Sequence, residues 1–315
     1  GLMRPLNGTV FPPDVRELVA ELGPATSPDE ARIVGVHAHL WPEPNNLIAP
    51  PENPVPAGPE FSDNTATWTE MPNGVWSLNM TLTNEYRRIL RLPPVLVRFP
   101  PPNDTLPEAI RITEVPWSSP PVSLAGAGSD PGEPSGPAAG STNSLWWIWT
   151  PPNDGVVVAH AEHGTLEVFE GAGMGALQPM GRSRLGGVRV AARSGVPLSF
   201  RVTPAEGVIL AQRIRLTLQV PLAGDDFSAR RPLPASNGLF EVPIGPSSTE
   251  PGEPLDENDD PVPSLWWTWT PPARGTLLLR GQPQRSGSFY HIPEWRAFTG
   301  AEVANLTPLD RKSVV

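Results

Sequence analysis

Two histidines one residue apart, His37 and His39, would project from one face of an extended strand, a spacing able to hold zinc. No third ligand lies near them in sequence, so two surface imidazoles is the plainer reading. His160 and His163 straddle a strand end and read the same way. Asp256, Asp259 and Asp260, in an Asp-Glu-Asn-Asp-Asp run, offer the oxygen ligands that Ca²⁺ takes. That run lacks the alternation and the central glycine of an EF-hand loop, which favours a solvated acidic turn. Gly171-Ala-Gly-Met-Gly175 evokes a phosphate loop, but a lone glycine cluster is weak evidence. Neither a Gly-x-Ser-x-Gly elbow nor a His-Glu-x-x-His helix occurs. Carboxylate pairs for glycoside hydrolysis meet only in the fold, and no pair stands out. The expectation is a protein that is not an enzyme, with no cofactor and no metal. With 0 cysteines, disulfide frameworks, thiolate metal sites and cysteine catalysis are excluded together.

The tryptophans carry more information. Six of the 11 fall in two short runs, Ser144-Leu-Trp-Trp-Ile-Trp-Thr-Pro-Pro152 and Ser264-Leu-Trp-Trp-Thr-Trp-Thr-Pro-Pro272. Trp146 and Trp266 are 266 − 146 = 120 positions apart. Upstream, Asp130-Pro-Gly-Glu-Pro134 returns as Glu250-Pro-Gly-Glu-Pro254 with the same offset. Two separate motifs sharing one offset mark a duplicated unit. Exposed aromatic faces stack on sugars, so a polysaccharide partner is one reading, with Trp76, Trp117 and Trp295 the least constrained. The competing reading makes Trp146, Trp147, Trp149, Trp266, Trp267 and Trp269 core residues. Strand alternation puts Leu145, Trp147 and Trp149 on one face and Trp146 and Ile148 on the other. Both faces are large and apolar, which suits a strand inside a β-sandwich. The Thr-Pro-Pro that follows cannot continue a ladder. Each run is therefore expected to turn back as a hairpin, onto 156–159 in the first copy and 276–279 in the second.

The order Asn103-Asp104, Pro131-Gly-Glu-Pro134, 144–152 and Val168-Phe-Glu-Gly171 resembles the bacterial pre-peptidase C-terminal-like domain. The second copy shows Asp225-Asp-Phe227, 250–254, 264–272, Gly275-Thr276 and Ala297-Phe-Thr-Gly300. The first copy departs at Leu106, where the family has Phe, and at Glu170, where it has Thr. The resemblance covers about 103–315. It implies secreted β-sandwich modules, appended to extracellular enzymes or repeated in surface proteins, and no catalytic residues.

The remaining 100 residues and the composition complete the expectation. With 44 prolines and 29 glycines the chain is poor in helix formers and suits short strands with many turns. Net charge is −10, with no basic patch, which argues against nucleic acid. No apolar run reaches the roughly 18 residues of a membrane span. The fold class expected is all-β: tandem jelly-roll-like or Ig-like sandwiches over 103–222 and 225–315, after a β-rich N-terminal domain, 1–100. That domain should carry one short helix at 15–22, with Asp14 as cap and a Val15, Leu18, Val19 and Leu22 stripe. It should also hold a strand over 32–40 and a 65–71/75–81 hairpin around Asn73-Gly74. The chain opens Gly1-Leu-Met-Arg; a signal already removed and an incompletely determined start are both open. Asn7, Asn79, Asn103 and Asn305 begin Asn-x-Ser/Thr triplets and are candidate glycosylation sites.

The second copy is shorter at its end. Past Leu177 the first copy runs 220 − 177 = 43 residues, whereas past the matching Leu306 the second has 315 − 306 = 9. The difference corresponds to the last three strands of the first copy. A sequence cut short, cover from the N-terminal domain, or strands donated by a neighbouring molecule would each account for it. Strand donation is the leading functional reading: an extracellular structural protein that self-assembles as a homo-oligomer or polymer, head to tail, into a filament or surface layer. The alternative is an accessory glycan- or substrate-binding region of a secreted hydrolase.

Overall fold

The computed structural model describes residues 2–22, 33–42, 59–62, 65–84, 86–87, 89–134, 143–183, 187–204, 213–234, 240, 242, 247–255, 262–273, 284–286, 289–291 and 295–309. The chain is all-β. Among the described residues, helix is confined to three single 3₁₀ turns, Leu106–Glu108, Met174–Ala176 and Val303–Asn305.

In the N-terminal part a four-stranded sheet runs Leu2–Arg4, Leu18–Leu22, Thr65–Trp68, Glu60–Ser62 in spatial order. A second sheet runs Thr9–Val10, Val95–Phe99, Gly74–Asn84, Ile33–Pro42, with Ile89–Arg91 pairing on Gly74–Asn84. The two share one core built from Leu18, Ala20, Ala38, Leu40, Trp68, Trp76, Leu78 and Phe99.

Two expectations fail here. The predicted helix at 15–22 is the strand Leu18–Leu22, with Leu18 and Ala20 buried and Val19 exposed. Pairing with Thr65–Trp68 on one side and Leu2–Arg4 on the other overrides a helical stripe of only four residues. The predicted hairpin around Asn73-Gly74 is instead a crossing between sheets. Met71 is buried in the core at that corner, and the Trp76 indole donates to the Pro72 carbonyl at 3.2 Å. The strand expected at 32–40 is present as Ile33–Pro42, with Ala38 and Leu40 inward.

The first repeat is built on two sheets. One runs Ile110–Ile112, Leu145–Trp149, Leu198–Pro204, Gly164–Glu170, Gln178–Ser183. The other runs Trp117–Ser118, Arg213–Gln219, Gly155–Glu162, Val188–Ala192, with Val122–Ser123 also on Arg213–Gln219. Leu145, Trp147, Trp149, Phe200 and Val202 from the first meet Val157, Ala159, Val190, Ile214, Leu216 and Leu218 from the second in one core. The inward set is the one alternation assigns. The expected hairpin of 145–150 with 156–159 is corrected: these strands lie in opposite sheets. Pro151 and Pro152 donate no ladder bond, so the chain leaves one sheet there and enters the other.

The units are joined by a repeated contact. Arg98, on the last strand of the N-terminal part, donates to the Asp104 carboxylate at 3.1 Å, and Asp104 accepts from the Gly128 N–H. At the next joint Arg189 donates to Asp225 at 3.3 Å and to Asp226 at 2.7 Å, and Asp225 accepts from the Ser248 N–H and hydroxyl.

Candidate functional site

The second face of the tryptophan strand, away from the large core, holds a small cluster. In the first repeat Trp146 is fully buried with Leu106 and Phe169. Asn103 grips one edge of the strand at Trp146: its side-chain Nδ2 donates to the Trp146 carbonyl at 3.0 Å, and its backbone carbonyl accepts from the Trp146 N–H at 2.9 Å. Asp130 accepts from the Leu106 N–H. Glu133, in the Pro-Gly-Glu-Pro turn, accepts through Oε1 from the Ser144 hydroxyl at 2.8 Å and the Trp146 indole at 3.4 Å.

Arg201 closes this cluster. It sits in Leu198–Pro204, the strand lying between the Trp146 strand and the Phe169 strand, and pairs directly with Trp146. Its side chain is 1% exposed. It donates to Glu167 Oε2 at 2.6 and 3.0 Å, to Glu133 Oε2 at 3.3 Å and to the Pro134 carbonyl at 2.6 Å. Its guanidinium carbon lies 5.8 Å from the Trp146 ring centre and 5.6 Å from that of Phe169. A buried cation is tolerated only with this many partners. Here two carboxylates, a carbonyl and two ring faces surround it.

The second repeat rebuilds most of the cluster. Glu250 accepts from the Phe227 N–H at 2.8 Å, as Asp130 does from Leu106. Glu253 Oε1 accepts from the Ser264 hydroxyl at 2.9 Å and the Trp266 indole at 3.0 Å, as Glu133 does from Ser144 and Trp146. The short strand Arg231–Pro232 lies beside Trp267–Thr268, matching Ile110–Ile112 beside Leu145–Trp149. Phe298–Thr299 pairs with Thr307–Pro308, as Gly164–Glu170 pairs with Gln178–Ser183. The Trp266 and Phe298 rings are 6.0 Å apart, against 6.2 Å for Trp146 and Phe169.

The difference lies between those strands. Among the described residues, Trp267–Thr268 and Phe298–Thr299 each have a partner on one edge only, and no strand lies where Leu198–Pro204 lies in the first repeat. Glu253 Oε2 is buried and accepts no hydrogen bond. Burial pushes the Glu253 carboxyl above its ordinary range, against the lowering effect of its Trp266 and Ser264 bonds. Trp266, Trp267 and Trp269 are only part-buried, whereas Trp146, Trp147 and Trp149 are 0%, 0% and 6% exposed.

The other sequence candidates separate cleanly. His37 and His39 are exposed neighbours with ring centres 4.1 Å apart. His160 is part-buried, and burial lowers its pKa; His163 is exposed, at a turn with φ 63°. No group of three or more metal-ligating side chains occurs among the described residues. Asp256, Asp259 and Asp260 lie outside the described residues. Gly171 makes the turn after Gly164–Glu170 with φ 117°, so the glycine cluster is a strand connection. Trp76 is 4% exposed, which removes it as a sugar platform; Trp117 and Trp295 are part-buried. Trp41, not singled out from sequence, is 62% exposed. Among the glycosylation candidates Asn7 and Asn305 are exposed and Asn79 is part-buried. Asn103 is corrected: it is 0% exposed and its amide nitrogen is already bonded inside the fold.

Sequence reasoning missed the functional use of Glu133, Glu253 and Arg201. For the glutamates a signal was present: Glu, then Ser eleven residues on and Trp thirteen on, in both copies. Arg201 sits in an otherwise apolar run, Leu-Ser-Phe-Arg-Val, and nothing local marks it.

No family model matches the chain, and no curated protein matches it. Among solved structures it is similar to a secreted serine protease, VesC, from Vibrio cholerae, at 8% identity and a TM-score of 0.23, over 70% of this chain and 49% of that one. The chain thus spans about half the length of that protein, and the likeness carries no argument about fold or activity. No helix among the described residues is long and apolar enough to cross a membrane.

Proposed function

We propose that this chain is an extracellular, non-enzymatic structural protein that assembles by strand sharing, one molecule lending a β-strand to the second repeat of the next. One observation carries the reading: Trp267–Thr268 and Phe298–Thr299 each lack a partner on one edge among the described residues, while their Trp266 and Phe298 rings lie 6.0 Å apart, as the Trp146 and Phe169 rings lie 6.2 Å apart in the first repeat. Open edges are templates for foreign strands, and β-augmentation satisfies both at once. The lending surface and the borrowing surface differ, so the contact is heterologous and gives rings or open filaments. The resemblance of the tryptophan runs to secreted β-sandwich modules supports the extracellular placement. Sedimentation and electron microscopy of the full chain test it: oligomers that lengthen with concentration are expected. A chain that stays monomeric at about 100 µM, far above the micromolar Kd of a modest interface, overturns it.

The exposed indole of Trp41 favours a second reading, an accessory region that stacks on polysaccharide. Retention on insoluble glycans that is lost in Trp41→Ala, from a chain that remains monomeric, would select it instead.

A further inference from the structure

We propose that His37, His39 and the facing Asn79 form a binding site for a divalent transition-metal ion, zinc or copper, on the outer face of the N-terminal part. The site is independent of how the chain assembles.

The strand Ile33–Pro42 presents both imidazoles. Ala38 and Leu40 are buried in the core of that part. Alternation then sends His37, His39 and Trp41 to the opposite face, where all three are exposed. The strand lies at the end of its sheet and pairs with Gly74–Asn84 from Ile33 to Pro42. Its pleat is thereby fixed, so the two rings stand side by side on a rigid element rather than on a loop. Their centres are 4.1 Å apart, edge to face. Two imidazoles bound cis to one ion, at Zn–N of about 2.0–2.1 Å, have ring centres about 4.5–5 Å apart. Turning two exposed rings covers that difference without moving the backbone.

Asn79 lies directly across from His39 on the neighbouring strand, within reach of the same point. Its amide nitrogen donates to the Ser77 carbonyl at 3.1 Å and the Ser77 hydroxyl at 3.3 Å. Among the described residues Oδ1, the atom that ligates, makes no side-chain hydrogen bond. The donor set selects the ion. Imidazole nitrogen suits zinc, copper and nickel, whereas Ca²⁺ and Mg²⁺ call for a shell of oxygens. Two nitrogens and one neutral oxygen leave a position for water or an outside ligand, as in an open zinc site rather than a closed four-ligand one.

Titration calorimetry of the full chain near neutral pH, with zinc chloride and separately with copper sulfate, reads the binding. One ion per chain is expected at a Kd of about 10 µM or tighter, with copper held more tightly than zinc. His39→Ala should weaken zinc binding at least about tenfold, and Asn79→Ala less. These side chains lie outside the core, so the fold survives their loss. His163→Asn, which keeps a residue that tolerates the left-handed turn there, should leave binding as it was. Location has its own readout. Bound copper quenches nearby indoles, and the Trp41 ring centre is 6.4 Å from that of His39. The saturable quenching should shrink in Trp41→Phe and vanish when His37→Ala and His39→Ala are combined. Zinc binding unchanged in that double variant, or quenching unchanged in Trp41→Phe, places the metal elsewhere and overturns the site. Failure of either ion to saturate the chain below about 1 mM overturns it as well.

Discussion

Replacing Glu253 by Gln in the dispersed chain should stabilise the second repeat, which is unusual for a residue with two good hydrogen bonds. Gln keeps an acceptor oxygen for the Trp266 indole and Ser264 hydroxyl, both at about 3 Å. It removes a part-buried charge that no cation among the described residues pairs with. Because the Gln amide nitrogen takes the place of Oε2 without a partner, the gain expected at pH 7 comes from the removed charge alone and is smaller than the cost of a fully buried unpaired charge, since the residue is only part-buried. The sign follows from linkage. The folded carboxyl titrates above its ordinary range, so the native state holds its proton more tightly than the unfolded chain. Stability from this group is therefore fully present below pH 4.5 and is lost as the pH rises through the folded pKa. The variant should exceed the natural chain at pH 7 and lose that advantage at pH 4. Differential scanning calorimetry at submicromolar concentration, following the second repeat's transition, measures this. A variant that is less stable at pH 7, or whose advantage is the same at both pH values, would refute the claim that Glu253 is buried without a counter-charge.

The first repeat should answer with the opposite sign. Arg201→Gln leaves Glu133 and Glu167 without their buried cation, and should cost about 3–5 kcal/mol in urea unfolding. Asn103→Ala removes the clamp on the Trp146 strand and should cost about 1–3 kcal/mol by the same measurement. Intact-mass analysis of chain made in a glycosylating host should find no glycan on Asn103, whatever Asn7 and Asn305 carry. Gly126→Ala would put a methyl 2.4 Å from the Phe99 carbonyl oxygen and 2.6 Å from the Gly74 nitrogen, at φ +74°. That closes the joint between the N-terminal part and the first repeat to any side chain, and limited proteolysis there should accelerate at least tenfold, a cost of about 1.4 kcal/mol or more in opening.

Much of the fold was legible. The two tryptophan runs and their shared offset announced the repeat. Strict alternation in 145–149 assigned Trp147 and Trp149 to the large core and Trp146 to the opposite face, as found. Alternation works because side-chain direction in a strand is a local property of the backbone. The errors came where pairing, not periodicity, decides. Residues 18–22 satisfy a helical stripe and a strand pattern equally, and only Trp68 across the sheet settles which. Asn73-Gly74 and the Pro151-Pro152 pair each signal a turn, but whether the chain returns within one sheet or crosses to another depends on strands far away in sequence.

The amino-acid order by itself determined that this is a cysteine-free, proline-rich, all-β chain with a duplicated tryptophan motif. Only the tertiary structure decided that Glu133 and Glu253 cap equivalent indoles, that Arg201 compensates the first, and that no described residue does the same for the second. The reason is distance along the chain. Arg201 reaches Glu133 across 68 residues, through a strand inserted between two others. Charge compensation inside a protein is a property of which strands are neighbours, and neighbours in a sheet need not be neighbours in sequence.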